Sequence, residues 1–104
     1  MLTARHVLTA AHCLEWQPYP SLDWYYEDFG VICVVGGVSD WTEFDDRTVQ
    51  CSTSFSKHPS YDNDNFVNDI GIITLDQPLD MGKVGTLPLY DFDSLAVGTP
   101  AYVT

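Results

Sequence analysis

The feature that most constrains the fold of this chain is an alternation of side-chain type with a period of two. Within Thr48 to Ser56, polar residues alternate strictly with apolar or β-branched ones. Successive side chains of a β-strand point to opposite faces of the sheet, so one face would carry Val49, Cys51, Thr53 and Phe55. The opposite face would carry Gln50 and three serines. The pattern therefore predicts one half-buried strand over the whole segment.

Other short apolar runs also predict strands, and segments rich in Asp, Asn and Pro separate them. Gly30 to Gly37 is rich in β-branched residues and has glycine at both ends, and Ile70 to Leu75 is a similar run. A further strand is predicted to begin at Thr99. Only Val7 to Leu14 has helical character, with Thr9 as its expected cap. The sequence predicts an all-β fold, an incomplete barrel or sandwich.

Length and charge exclude several classes of protein. The chain has 104 residues, the length of one ordinary domain, and its 45% hydrophobic content is too high for a chain disordered throughout. Fifteen Asp and Glu against four Lys and Arg give a formal net charge of −11. Such a surface repels phosphates, which argues against nucleic-acid binding and against an anionic membrane as partner. No apolar run reaches the roughly 18–20 residues of a membrane span, and the first residues lack the features of a signal peptide.

Two segments carry residues suited to catalysis. One is Val7-Leu-Thr-Ala-Ala-His12-Cys13, and the other is Asn68-Asp69-Ile-Gly-Ile-Ile-Thr-Leu75. A lone histidine beside small residues is more often structural than catalytic. In this order, however, the two segments resemble the histidine and aspartate boxes of the trypsin/chymotrypsin family of serine proteases. The first matches that family's T-A-A-H-C pattern throughout, and the second has Gly71 and Ile72 in place of the Ala and Leu of D-I-A-L.

The resemblance extends over nearly the whole chain and implies a fold and a domain. Softer matches lie at residues 5–8, 57–61 and 97–104. The family has two barrels, and the chain would supply most of the first six-stranded antiparallel barrel, plus the start of the second barrel. Residues 1–104 are accordingly expected to be a partial peptidase domain of trypsin-like type, truncated at both ends.

The resemblance also implies catalytic roles. His12 would be the general base that takes a proton from the nucleophilic serine, and Asp69 would orient its imidazole. Serine needs an adjacent base, and imidazole titrates near neutral pH. The family's Gly-Asp-Ser-Gly-Gly segment is absent from these residues. We therefore expect a serine endopeptidase by lineage that acts on peptide or protein substrates without a cofactor, and that is inactive as this fragment alone.

Three cysteines leave an odd thiol. In the family, the cysteine after the catalytic histidine bridges to one further upstream, so Cys13 is expected to be unpaired here. Cys33 and Cys51 lie on two predicted neighbouring strands, and a bridge between them is possible though not typical of the family. Three free thiols are the alternative. The resemblance further implies an extracellular, secreted protein that is monomeric when complete.

No metal site is expected. The turn at residues 62–65 begins like a calcium loop, but Val67 and Ile73 stand where glycine and glutamate are required. Residues 37–47 correspond to a loop that binds calcium in some family members, yet Arg47 favours a solvated acidic loop. The histidines and Cys13 lack zinc spacing.

Two questions stay open at this stage. The aromatic-rich segment from Glu15 to Gly30 follows His12, and it either borders the substrate cleft or packs on the barrel. The chain is either part of an active enzyme or a non-catalytic protease homologue that acts as a binding or cofactor module; a generic acidic β-rich interaction domain is a third possibility.

An incomplete barrel exposes strand edges, which predicts weakly cooperative unfolding and aggregation of the isolated chain.

Overall fold

The computed structural model describes residues 1–15, 30–40, 42–43, 45, 48–89 and 94–102. In that part of the chain the regular structure is strand with a single short 3-10 helix. The elements in chain order are β1 (His6–Thr9), η1 (Ala11–Leu14), β2 (Ile32–Val35), β3 (Val49–Ser52), β4 (Ser54–Lys57) and β5 (Gly71–Thr74). The predicted all-β fold class is confirmed, and β2 and β5 form inside the apolar runs that predicted them.

The strands form two antiparallel sheets. In the first sheet β5 is central, with β1 on one side and β4 on the other. In the second sheet β2 pairs with β3. β-Branched residues occupy the middle of β5, and Ile72 lies opposite Leu8 on β1, which is the kind of apolar cross-strand pair that stabilises a sheet.

The prediction of one strand over Thr48 to Ser56 is wrong, because the segment divides into β3 and β4 and passes from one sheet to the other. The predicted faces are wrong as well, since Ser52 is buried and Cys51 is exposed. The Ser52 hydroxyl donates to the Thr74 carbonyl oxygen at 2.5 Å and accepts from the Ser54 backbone N–H at 2.9 Å. Those bonds satisfy a polar side chain at the bend, so it can be buried there.

Two other predicted elements also differ. The first half of the helical segment is the strand β1, because pairing with β5 overrides the weak local preference. Only Ala11–Leu14 is helical, and it begins after Ala10 without a side-chain cap, so Thr9 does not cap it. Residues 99–102 form no strand, because a strand is not stable without others to pair with. Residues 103–104 lie outside the described part.

The core lies between η1 and the three-stranded sheet. Its fully or nearly buried side chains are Leu14, Ile73, Leu75 and Leu79. Val7, Phe55 and Val84 pack around them. The strand β1 is tied to the end of β5, since the Leu75 N–H donates to the Arg5 carbonyl oxygen at 2.7 Å. None of the helical residues that the structure describes belongs to a helix long and apolar enough to cross a membrane.

The predicted bridge between Cys33 and Cys51 is confirmed. These residues are direct cross-strand partners in β2 and β3, their Cα atoms lie 3.9 Å apart, and their sulfurs are bonded. The alternative of three free thiols is therefore wrong for this pair. Cys13 is free and exposed.

Candidate active site

The two motif residues lie side by side because of the antiparallel pairing of β1 with β5. Thr9 at the end of β1 lies opposite Gly71 at the start of β5. In an antiparallel pair the end of one strand is next to the start of the other. His12 follows Thr9 within η1, and Asp69 precedes Gly71, so both residues project from the same edge of the sheet.

His12 and Asp69 form two hydrogen bonds. The His12 ring Nδ1 donates to Asp69 Oδ2 at 2.6 Å, and the His12 backbone N–H donates to Oδ1 at 2.8 Å. An ionised carboxylate only accepts hydrogen bonds, so Nδ1 carries a proton, and in the neutral imidazole Nε2 is the acceptor. The Asp69 side chain is 21% exposed and that of His12 is 53% exposed. The arrangement therefore holds the carboxylate inside and presents the imidazole to solvent.

The environment of Asp69 keeps its carboxyl group ionised. Partial desolvation raises the pKa of Asp69, but hydrogen bonds from the His12 backbone and ring, attraction to the imidazolium and a bond from the Ala11 N–H together outweigh it. The net pKa lies below the ordinary value of 3.8. At neutral pH the group is an anionic acceptor that fixes the imidazole and can stabilise its protonated form.

The loop before Asp69 has a constrained backbone. Asn68 has φ of +57° and Phe66 has φ of +53°, a left-handed conformation that asparagine tolerates but a bulky aromatic residue rarely adopts. The Asn68 side-chain amide donates to the Ser60 carbonyl oxygen at 3.0 Å, and the Ile70 N–H donates to the Asn68 carbonyl oxygen at 2.8 Å. These bonds fix the residue on each side of Asp69.

Sequence reasoning missed Phe66. Its ring lies edge-on to the His12 ring, with centroids 6.0 Å apart and planes at 89°. Phe66 is 58% exposed, so it forms an apolar wall beside the imidazole. Its position in a turn rich in Asp and Asn carries no periodic signal, and only its closeness in sequence to Asp69 could have suggested a role.

The remaining contact of the His12 ring is with Cys13, whose Sγ lies 3.6 Å from Nε2. Within the described part of the chain, no serine hydroxyl donates to Nε2. The site therefore contains an imidazole and the carboxylate that orients it.

The acidic turn that begins at Asp62 is used internally. The Asp62 carboxylate accepts from the Asn65 side-chain amide at 2.8 Å and from the Asp64 N–H at 2.9 Å, and these bonds lower the pKa of Asp62. Among the described residues, no group of three or more His, Cys, Asp or Glu side chains is placed to hold a metal ion. Residues 16–29 of the aromatic-rich segment from Glu15 to Gly30 lie outside the described residues, as do positions 41, 44, 46 and 47 of the loop at 37–47.

Known proteins resemble this chain over nearly all of its length. The family model described as Trypsin matches residues 1–104. A solved structure of human heparin binding protein superposes with a TM-score of 0.58 and 23% identity, covering 92% of this chain and 39% of that one. A mutant of the human protein gives a TM-score of 0.58 and 22% identity over 92% of this chain and 37% of that one. No curated protein matches this chain. The chain spans less than half the length of these structures, and at such identities the likeness shows the fold, a trypsin-like β fold.

Proposed function

The chain belongs to the trypsin family, and from that premise we propose that it is part of a serine endopeptidase whose general base is His12 and whose orienting carboxylate is Asp69. The observation that carries the proposal is the doubly hydrogen-bonded pair. One bond fixes the ring and the other fixes the backbone that bears it, at 2.6 and 2.8 Å. A base held in one tautomer by a third group is the signature of nucleophile activation.

The chemistry follows from the free nitrogen. With Nδ1–H donated to Asp69, the Nε2 lone pair of His12 takes the proton of a serine hydroxyl as its oxygen bonds to the substrate carbonyl carbon. His12 then returns that proton to the leaving amine, and the acyl-serine is hydrolysed with His12 acting as base again. The lowered pKa of Asp69 keeps a negative charge beside the imidazolium in both steps.

The proposal requires a nucleophile from outside these residues. The chain covers 39% of the matched structure of human heparin binding protein, so a second half with the serine and oxyanion hole is part of the proposal. Residues 1–104 are proposed to be a partial peptidase domain, inactive alone. The whole protein would act on peptide or protein substrates as a monomer, without a cofactor, and its disulfide fits an oxidising, extracellular compartment.

The test uses the full reading frame that contains this chain. The complete protein should release a chromogenic group from a peptide ester, and Asp69→Asn should lower kcat by roughly 10⁴-fold, as loss of the orienting carboxylate does in a Ser-His-Asp triad. Ser56→Ala, an exposed serine on β4, is the matched control and should leave kcat unchanged. Equal activity of the Asp69→Asn and unaltered proteins would reject the catalytic assignment.

A second candidate is a non-catalytic homologue that acts as a binding module. The observation in its favour is the fold likeness to a protein named for binding heparin. Heparin is a polyanion, and a chain with a net charge of −11 is poorly suited to bind it, so a partner of this chain would more readily be cationic. The residue at the nucleophile position of the complete protein separates the two candidates. A serine there permits acyl transfer, whereas any other residue removes acyl transfer and leaves the fold.

A further inference from the structure

The half-exposed imidazole of His12 has room to turn away from Asp69. The His12 side chain is 53% exposed, and exposed side chains change rotamer readily. Such a rotation breaks the bond of 2.6 Å between Nδ1 and Asp69 Oδ2 and brings the Nδ1 proton to water. A neighbouring group that fills the space beside the imidazole therefore opposes this opening.

The Phe66 ring lies beside the imidazole in a geometry that aromatic pairs prefer. The ring centroids are 6.0 Å apart and the planes meet at 89°, which is an edge-on arrangement within the favourable range of roughly 4.5–7 Å. Phe66 is 58% exposed, although phenylalanine is among the residues most often buried. Core packing therefore does not explain the placement of this ring, whereas contact with His12 does.

Phe66 reaches this position through a backbone conformation that its residue type avoids. Its φ is +53°, in the left-handed region that glycine, asparagine and aspartate adopt far more readily. Residues held in such conformations cluster at functional sites, where the surrounding structure fixes them. The backbone strain at Phe66 thus points to a role for its ring.

The turn around Phe66 is fixed on both sides by Asp62. The Asp62 N–H donates to the Val67 carbonyl oxygen at 2.9 Å, and these two residues form a β-bridge. The Asp62 carboxylate accepts from the Asn65 side-chain amide at 2.8 Å and from the Asn65 backbone N–H at 3.3 Å. Both chain neighbours of Phe66 are thus tied to Asp62, so the backbone that carries the ring is held in place.

We propose that Phe66 is a positioning residue, whose ring holds the His12 imidazole against Asp69 and opposes its rotation into solvent. The consequence for catalysis rests on the proposed function, whereas the effect on the hydrogen bond depends on the described contacts alone. An edge-on aromatic contact shifts such an equilibrium by about two- to tenfold. Loss of the ring should therefore raise the population of the rotated imidazole by that factor, with the pair to Asp69 still formed.

The test measures exchange of the His12 Nδ1 proton with water, by NMR of the 104-residue chain labelled with ¹⁵N-histidine. Asp69→Ala identifies the signal, because it removes the acceptor. Phe66→Asn removes the ring but keeps a residue that tolerates the left-handed backbone, and it should speed exchange about two- to tenfold. Phe66→Tyr keeps the ring and should keep the slow rate. Val67→Ala shortens the next side chain of the same turn, which is 52% exposed, and should leave the rate unchanged.

The outcomes separate this inference from the proposed function. Unchanged exchange in Phe66→Asn overturns the inference and leaves the His12–Asp69 pair, and with it the proposed function, intact. Equally fast exchange in Phe66→Tyr or Val67→Ala also overturns it, because the turn rather than the ring would then control the imidazole. An equal rise in the exchange of the β5 amides would mark a general loss of stability and overturns it as well. Absence of the signal from the unaltered chain overturns both, since the pair itself would not exist.

Discussion

Replacing both Cys33 and Cys51 by serine is expected to lower the free energy of unfolding by about 3 kcal/mol. The bond joins residues 18 positions apart, and closing a loop of that length in the unfolded chain costs about 3 kcal/mol of entropy at 25 °C. Both cysteines are exposed, so the replacement creates no cavity and buries no hydroxyl, and loop closure should account for most of the change. Even complete single domains have a total stability of only about 5–15 kcal/mol, so a loss of about 3 kcal/mol would be a large fraction of the stability of this chain.

The bridge also supports the weaker sheet. β2 and β3 pair only with each other among the described strands, and a two-stranded sheet is marginal on its own. The loss should therefore be accompanied by early loss of the β2–β3 amide protection in hydrogen exchange, before that of β5.

The measurement is urea unfolding followed by far-ultraviolet circular dichroism. The double variant should also show a larger m-value, because its unfolded state is no longer held compact by a cross-link. Cys13→Ser, a free and exposed position, is the matched control and should stay within about 0.5 kcal/mol of the unaltered chain. A loss below about 1 kcal/mol in the double variant, with an unchanged m-value, would refute the loop-closure reasoning.

Three further predictions concern Asp69, the bend at Ser52 and the loop before Asp69. The pKa of Asp69 is lowered in the folded state, so the contribution of this group to stability is present above its ordinary pKa and is lost as pH falls below 3.8 through the folded value. The stability of Asp69→Asn, measured across an acid titration, should lack this pH-dependent contribution. A stability curve identical to that of the unaltered chain would contradict this prediction. Ser52→Ala removes the bonds to Thr74 and Ser54 and should cost about 1–3 kcal/mol in urea unfolding, whereas Ser56→Ala at an exposed position should cost little. Asn68→Ala should cost about 1–2 kcal/mol for its left-handed backbone, and Asn68→Gly should recover part of that loss; equal losses would assign the effect to the side-chain amide instead.

Local sequence was sufficient for β2 and β5, which form within short apolar runs. The run from Ile70 to Leu75 is apolar except for Thr74, and β5 forms within it with Gly71 and Ile73 buried. The run from Gly30 to Gly37 ends in a glycine with φ of +75°, and glycine adopts that backbone without steric cost. In both cases the strand lies inside the run, one or two residues short of each end.

Local sequence was insufficient where a distant group decides the conformation. The alternation in Thr48 to Ser56 indicated that serines face solvent, but Ser52 is buried because the Thr74 carbonyl oxygen, 22 residues away, accepts its proton. A periodicity argument weighs each side chain by its polarity and has no knowledge of that acceptor. The same limit explains why the edge-on contact of Phe66 with His12 was not foreseen.

The candidate site was more predictable than the packing around it, and the reason is topological. His12 and Asp69 flank the paired ends of β1 and β5, so the register of one strand pair is enough to bring them together. The hydrogen bonds to the Asp69 carboxylate come from His12 and from the Ala11 N–H, and the bonds that fix its neighbour Asn68 are made with Ser60 and Ile70. The orientation of the imidazole is thus determined by residues within this chain. It can therefore be measured independently of any nucleophile.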